Sequence, residues 1–405
     1  MAASPGNGGR GHSPAAIQRR RLAAGVVAFA ALVVLGLGLV DGGGGPAEAP
    51  QTPDELIARQ REEQPVRFTV SVSGDLLIHS PVYERAGSLG GGDDYDFAPL
   101  FRQVRPYVRG ADVAFCHVEV PMTPAAPASF PIFNTPPQLA EGIAKTGWEA
   151  CDTASNHTLD QGQDGIDETL KALDRAGVEH TGSYASKADS RKILMLGVKG
   201  VRVAYLAYTT DTNGIPVPNA WSLNVAENPD AVVADARRAR KQGADVVLVN
   251  MHWGIDMTPE YVTAASKKQV AFAKRLAAAP EITAVVGQGP HVVQQMERVN
   301  GKLVVYSEGN LISNQGSDAG LAAESQDGFI ALLDLVVDGN GARVDGVRYV
   351  PTWVQHPDFT VTPVGPALEQ GDGDAGSLRS SYKRTVDAVG RGRGIEPEPA
   401  KLPRG

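Results

Sequence analysis

Short runs of β-branched and aromatic residues alternate, through the middle of the chain, with longer stretches in which apolar residues recur every three or four positions. The short runs predict buried strands over residues 68–73, 112–116, 149–154, 246–251, 283–286 and 303–307. The longer ones predict helices over 165–176, 229–242 and 264–278, with Gly177 and Gly243 placed to cap the first two. Residues 193–198 and 201–208, joined by Lys199-Gly200, read as a hairpin, and so do 329–337 and 343–350 across an Asp-Gly-Asn-Gly turn. Strand and helix in alternation predict an α/β protein, and the added hairpins predict a mixed sheet or two packed sheets.

The flanks differ in pattern from this middle. Residues 22–40 form an uncharged apolar run that just reaches the length of a bilayer core. Arg10, Arg19, Arg20 and Arg21 precede it, whereas Asp41, a glycine run and a Pro-rich acidic stretch follow. That asymmetry predicts a single-pass transmembrane anchor with residues 1–21 as a basic cytoplasmic tail and the rest of the chain extracellular. A cleaved signal peptide competes, because Ala47-Glu48-Ala49 is a small-x-small site; Pro50 after the cut and the length of the run favour an uncleaved anchor. Residues 41–65 read as a flexible linker, 66–360 as the folded domain, and 361–405 as a low-complexity tail with a short helix near 382–389.

Composition narrows the function classes. Hydrophobic residues make up 42% of the chain, enough for a large core, while a net charge of -8 excludes nucleic acid as the main partner. Cys116 and Cys151 are the two cysteines. They either face each other across neighbouring strands as a disulfide or lie buried as small hydrophobes.

Candidate chemistry collects at the ends of the predicted strands, where open α/β sheets bind their ligands. Asp75 and His79 follow the first strand, His117 and Glu119 the second, and Asn156 and His157 the third; His252 ends the fourth, and Gln288 and His291 follow the fifth. Each alone is more often a cap or a hydrogen-bonded core residue. Five in succession point to a divalent metal site, since imidazole, carboxylate and Asn carbonyl are its ligand set. Such a site suits metal-assisted hydrolysis. Asn156-His157 is the most specific element: an Asn ligand beside a His lets the His protonate a leaving group, with Asp160 or Asp152 orienting its ring.

In order and spacing, Gly74-Asp75, the His-x-Glu-x-Pro of His117 to Pro121, Ala154 to Gly162, His252-Trp253-Gly254, Gly287 to Gln294 and Tyr306 to Asn310 resemble the CapA family of poly-γ-glutamate capsule proteins. The resemblance implies a metallophosphatase-like, two-sheet α/β/β/α sandwich related to calcineurin-like metallophosphoesterases. It also implies that Asp75, Glu119, Asn156, His252 and His291 hold one or two divalent ions (Mn, Zn or Fe), with His157 catalytic; Asp160 joins His157 as a candidate catalytic residue on the orienting argument above, where Asp152 is the alternative. Two positions depart from the family pattern. His117 stands where many members carry Asn, and Gln288 and Gly289 stand where a His is common. His79, His117 and Gln288 are therefore additional candidate ligands.

Two functions are consistent with this reading: a surface-anchored hydrolase or transferase acting on phosphoester or γ-glutamyl amide bonds, or a non-catalytic scaffold of a polymer synthesis and export complex or the cell wall. Both imply the membrane, other capsule synthesis and export membrane proteins, and an anionic polymer as partners.

Overall fold

The computed structural model describes residues 64–402. The basic tail, the apolar run 22–40 and nearly all of the linker lie outside the described residues, among which no helix is long and apolar enough to cross a membrane.

The chain opens with β1 (Val66–Leu76), α1 (Ser80–Leu89), α2 (Arg105–Gly110), β2 (Val113–Val118), α3 (Leu139–Thr146), β3 (Ala150–Asp152), α4 (Gly162–Ala176) and β4 (Glu179–Thr181). A second set follows: β5 (Leu194–Val198), β6 (Val201–Thr209), α5 (Pro229–Lys241), β7 (Val246–His252), α6 (Lys267–Ala278), β8 (Ala284–Gln288), β9 (Met296–Val299) and β10 (Lys302–Val305). The chain then returns to the first sheet with β11 (Asn310–Ile312), β12 (Asp327–Asp338), β13 (Gly341–Gln355) and β14 (Thr360–Pro363), and ends in α7 (Val364–Gln370), α8 (Ala375–Val389) and β15 (Ile395–Pro397).

These strands form two sheets. One runs β14-β13-β12-β1-β2-β3-β4, with β11 beside β1 and β15 beside β13; the other runs β5-β6-β7-β8-β10-β9. Within the first, β1 to β4 are parallel; within the second, β6, β7, β8 and β10 are. Phe68, Val70 and Val72 of β1 and Phe115 of β2 pack against Val203 and Tyr205 of β6, Leu248 of β7 and Val286 of β8, closing one apolar layer between the sheets. The alternate residues face outward: Ala114, Cys116 and Val118 meet Val108, Leu139 and Ile143 of the α2 and α3 layer. On the far side Ala204, Leu206 and Val249 meet Val232 and Ala236 of α5 and Phe272 and Leu276 of α6. The order of layers is helix, sheet, sheet, helix, as the two-sheet expectation required.

Local chemistry sets the boundaries. Lys199 and Gly200 both take positive φ, 48° and 79°, the two-residue turn whose twist matches the flanking strands. Ser266 and Gln269 form a capping box, so α6 starts at Lys267 and not at the predicted 264. β3 is three residues long, half the predicted strand, because the chain leaves the sheet after Asp152 to build a loop. Cys116 and Cys151 are register partners on β2 and β3, with Cα atoms 4.4 Å apart, and form a disulfide.

The folded unit does not end at residue 360. β14, α7, α8 and β15 all pack on β13 or its neighbours, so the expected low-complexity tail is corrected to a structured segment running to Pro397. The reason lies in α8, whose buried face consists of Leu378, Ser381, Thr385 and Val389. Two of the four are small hydroxyl residues, which thins the apolar period that marks a helix. Arg384 of α8 grips the buried Asp327 of β12 through two bonds of 2.6 and 2.8 Å. Burial raises the Asp327 carboxyl to about 6, with the Arg384 guanidinium opposing the shift.

Removing one partner of such a pair leaves a buried charge uncompensated. Arg384→Ala is expected to cost about 3 kcal/mol at pH 8 in denaturant unfolding. The cost shrinks at pH 5, where Asp327 takes up a proton and no longer needs a cation. A loss under 0.5 kcal/mol at pH 8 (roughly the scale of an exposed pair) would show that the terminal helix is not tied to the sheet in this way.

Candidate metal centre

The inner face of each central strand carries apolar residues along its length and a polar residue at its carboxyl end. On β2 the inward series is Val113, Phe115, His117; on β3 it is Ala150, Asp152. On β7 it is Val246, Leu248, Asn250, His252, and on β8 it is Ala284, Val286, Gln288. The two-residue period of a strand therefore delivers all of these side chains to one place, the top of the seam between the sheets.

β1 breaks the period to do the same. Val70 and Val72 point inward, so strict alternation would send Asp75 outward. The register instead slips: Val72 pairs with Phe115 but Asp75 with His117, which leaves one extra residue in β1. This bulge turns Asp75 into the seam. Gly74 allows it, since a Cβ there would sit 1.9 Å from the Gly309 carbonyl oxygen, and that carbonyl accepts the Asp75 N–H at 3.1 Å.

Asp75 stands between two groups. His117 Nε2 lies 3.6 Å and His252 Nδ1 3.9 Å from Oδ1, and the two ring nitrogens are 3.1 Å apart. His291 Nδ1 lies 3.3 Å from Oδ2, and its Nε2 is 3.8 Å from Glu119 Oε1. Asp75, His117 and His252, and Asp75, Glu119 and His291, are thus two buried triads of metal-ligating type that share one carboxylate.

Outer partners orient these groups. Asp152 Oδ1 accepts from His117 Nδ1 at 2.6 Å, while Oδ2 accepts from the Tyr205 hydroxyl and the Asn250 amide. His117 is held with Nε2 toward Asp75. The Asn310 amide nitrogen donates to Ser313, Gln315 and the Ser325 carbonyl, leaving its Oδ1 to accept from His291 Nδ1 at 3.1 Å. His291 takes a positive φ of 58°, a backbone conformation uncommon for a residue with a Cβ and one that cores keep where a side chain must be aimed.

The electrostatics call for a cation. Both oxygens of Asp75 and of Glu119, Asn156 Oδ1, both amide atoms of Gln288 and Glu308 Oε1 are buried without hydrogen-bond partners. Orphaned carboxylates cost several kcal/mol each unless charge meets them. Burial and the nearby Asp75 carboxylate raise the Glu119 carboxyl to about 7, and the same causes push Glu308 well above its ordinary value. Burial would lower His117 and His291, but Asp152 beside the first and Glu119 beside the second raise them to about 9 and about 10. Burial and the neighbouring His117 instead lower His252, which stays neutral and able to ligate. The donor set of carboxylate, imidazole and amide carbonyl fits a divalent ion.

Asn156 and His157 lie on the loop after β3, which the Ser155 hydroxyl ties to the Glu119 carbonyl at 2.5 Å. The Asn156 amide nitrogen donates to Asn213 Oδ1, which turns the unpartnered Oδ1 of Asn156 the other way. His157 Nδ1 donates to Asp160 Oδ2 at 2.8 Å, and Asp160 is itself fixed by the Phe133 N–H at 2.7 Å. Of the two expected orienting groups, Asp160 serves His157, and Asp152 serves His117 instead. His157 opens on a cleft of about 340 Å³ whose wall includes His79, Phe133, Tyr261 and His291. His79 accepts the Asn314 N–H and belongs to this wall, outside the two triads.

His117, set apart in the sequence as a departure from a family pattern, is therefore inside the cluster. Sequence reasoning misses Asn213, Asn310 and Glu308. Glu308 and Asn310 sit within a motif that gives them no role, whereas Asn213 stands in a loop with no period to mark it.

Residues 69–315, more than half of the chain, match the family described as bacterial capsule synthesis protein PGA_cap. The chain is 28% identical over 298 residues to the capsule biosynthesis protein CapA of Bacillus anthracis, covering 70% of each protein. It is 26% identical over 257 residues to the PGA biosynthesis protein CapA of Bacillus subtilis, covering 62% of this chain and 64% of that one. A probable polyglutamine synthesis accessory protein of Mycobacterium tuberculosis is 30% identical over 175 residues, covering 40% of this chain and 45% of that one. Among solved structures, the calcineurin-like phosphoesterase YfkN from Bacillus subtilis aligns over 78% of this chain and 99% of that one, at 13% identity and a TM-score of 0.47. With its match running from β1 through the strand ends that build the seam, the chain belongs to the bacterial capsule synthesis protein (PGA_cap) family.

Proposed function

We propose that the chain is a membrane-anchored, extracytoplasmic protein of capsule poly-γ-glutamate synthesis or export, whose seam site carries out metal-dependent hydrolysis or transfer at a phosphoester or γ-glutamyl amide bond. The observation that carries the reading is the shared Asp75 carboxylate, buried between two triads with no hydrogen-bond donor of its own. The names of the curated relatives supply the biological setting. On this reading its partners are the bilayer, an anionic polymer and membrane proteins of the same synthesis and export system.

Asp75, His117 and His252 would hold one divalent ion, and Asp75, Glu119 and His291 a second, with the amide oxygens of Asn156 and Gln288 as further donors. A bound ion supplies Lewis acidity toward the substrate oxygen and toward an attacking water. The protein's own part is proton delivery and positioning. Asp160 accepts a hydrogen bond from the His157 Nδ1–H, which leaves Nε2 to deliver a proton toward the cleft. Phe133 stands edge-on to the His157 ring at 4.7 Å and limits its tilt. Asp152 and Asn310 hold the imidazoles of His117 and His291 in one orientation each, which spares the site that reorganisation during turnover.

With manganese-loaded full-length protein, His157→Ala should keep its metal and lose roughly 10²-fold or more in rate on an alkyl phosphate, whose poor leaving group needs a proton. The loss on p-nitrophenyl phosphate should be smaller, and Asp160→Asn should fall between wild type and His157→Ala. Unchanged turnover of the alkyl ester, or loss of metal, removes His157 from the general-acid role. The topology has its own test. Protease added to intact cells should digest the domain, while the basic tail before residue 22 survives; a protected domain contradicts the extracytoplasmic placement.

A further inference from the structure

The exposed large hydrophobic side chains among the described residues are Phe130 (75% exposed), Ile255 (64%), Ile132 (45%), Val262 (42%) and Leu321 (36%). None is scattered at random over the surface. All five fall in three loops, residues 122–134, 253–266 and 313–326, and these are the loops that frame the cleft beside His157 and His291. Phe130 and Leu321 line the cleft itself; Val262 follows Tyr261, and Ile132 precedes Phe133, which also line it. Apolar residues gathered around a polar site, while the rest of the described surface exposes none of this size, mark an interaction surface.

Charge indicates what the surface can meet. The chain has 38 Lys and Arg residues, yet the three loops hold none; their charged residues are Asp256, Glu260, Asp318 and Glu324. These loops give a strongly anionic lipid surface no electrostatic hold, and an anionic polymer on the reading above would be held by positive charge inside the seam and not by the rim. A zwitterionic bilayer interface, which accepts apolar and aromatic side chains and asks for no cations, fits it. The length of chain upstream makes this occupant available. The described residues begin at Gln64, and 23 residues of sequence separate it from the apolar run 22–40. Fully extended, they reach at most about 80 Å, beside a domain roughly 50 Å across. On the membrane-anchored reading this contour length is enough for any face of the domain to reach the bilayer, which would be at a high effective concentration that a diffusing partner protein does not share.

We propose that the mouth of the cleft docks on the bilayer surface, with Phe130, Ile132, Ile255, Val262 and Leu321 entering the interface and the seam site facing the membrane. This rests on the membrane-anchored reading given above. It is independent of whether the site is metal-loaded.

The test uses the full-length chain reconstituted into phosphatidylcholine vesicles with and without brominated acyl chains. Phe130→Trp and Leu321→Trp place a fluorophore at the rim, and Lys274→Trp places one on the exposed face of α6. The emission added by each rim Trp, taken as the difference from the parent chain with its four tryptophans, should fall about twofold or more in brominated vesicles, consistent with insertion to the acyl boundary, while the emission added by Lys274→Trp stays the same. Quenching that is equal at the three positions overturns the proposal. If the chain floats with the vesicles but the rim is unquenched, docking is wrong and the anchor stands; crosslinking of rim to rim in that case assigns the patch to a second copy. If the chain does not float at all, both the anchor and the docking fail.

Discussion

A carboxylate buried between a pair of imidazoles on one side and an imidazole and a second carboxylate on the other, with both oxygens lacking a donor, is the constraint on which the rest of this structure depends. Asp75 in that position is tolerable only if positive charge is held beside it, and its neighbours are built to that end. Without an ion the protons on His117 and His291 serve, raised to about 9 and about 10 by Asp152 and Glu119 against the effect of burial. A bound ion would take the place of those protons, and the ring nitrogens of His117 and His291 that face the carboxylates would hold it, a competition that would tie occupancy to pH. The bulge at Gly74 and the close approach of Gly309 exist for this one carboxylate: without the extra residue in β1, Asp75 would face the helices.

The two-sheet architecture follows from the same demand. A single sheet presents strand ends in a row, which spaces ligands about 4.8 Å apart along one line. Packing a second sheet against it brings His252, Gln288 and His291 from β7, β8 and the loop beyond into the space above β1 and β2. The apolar layer below, from Phe68 to Val286, keeps water from the bases of these side chains and fixes the separation of the sheets. Phe115 stacked on Tyr205 at 4.1 Å illustrates the coupling: the Tyr205 hydroxyl continues upward to Asp152, and Asp152 to His117. Core packing and ligand orientation are here one chain of contacts.

Much of this is legible in the sequence. The strand-end positions of Asp75, Glu119, His252 and His291 are visible because polar residues interrupt short apolar runs, and the structure gathers these four. His117 and Gln288 are legible only as further strand-end candidates, and Asp152 as an orienting carboxylate, although it proves to orient His117 and not His157. Other features leave no periodic trace. The β1 bulge inverts the parity of Asp75 without changing the composition of the strand, and Asn213 acts from a loop after β6. The helix α8 hides half of its buried face in Ser381 and Thr385, so only its last turns show in the sequence, as a short helix near 382–389, and the rest reads as a tail. Sequence periodicity reports strands and helices that bury hydrocarbon; it is blind to elements that bury hydroxyls and to side chains aimed by a single irregular residue.

The central claim is that the Asp75 cluster is a metal centre, and anomalous diffraction from crystals of the full-length protein grown at pH 8 with manganese tests it most directly. Ion density within about 2.3 Å of the Asp75 carboxylate, with ring nitrogens of His117 and His252 or of His291 completing the shell, is the result this account predicts. Manganese bound only elsewhere, or a seam in which Asp75 keeps its contacts to protonated imidazoles at saturating metal, would contradict it.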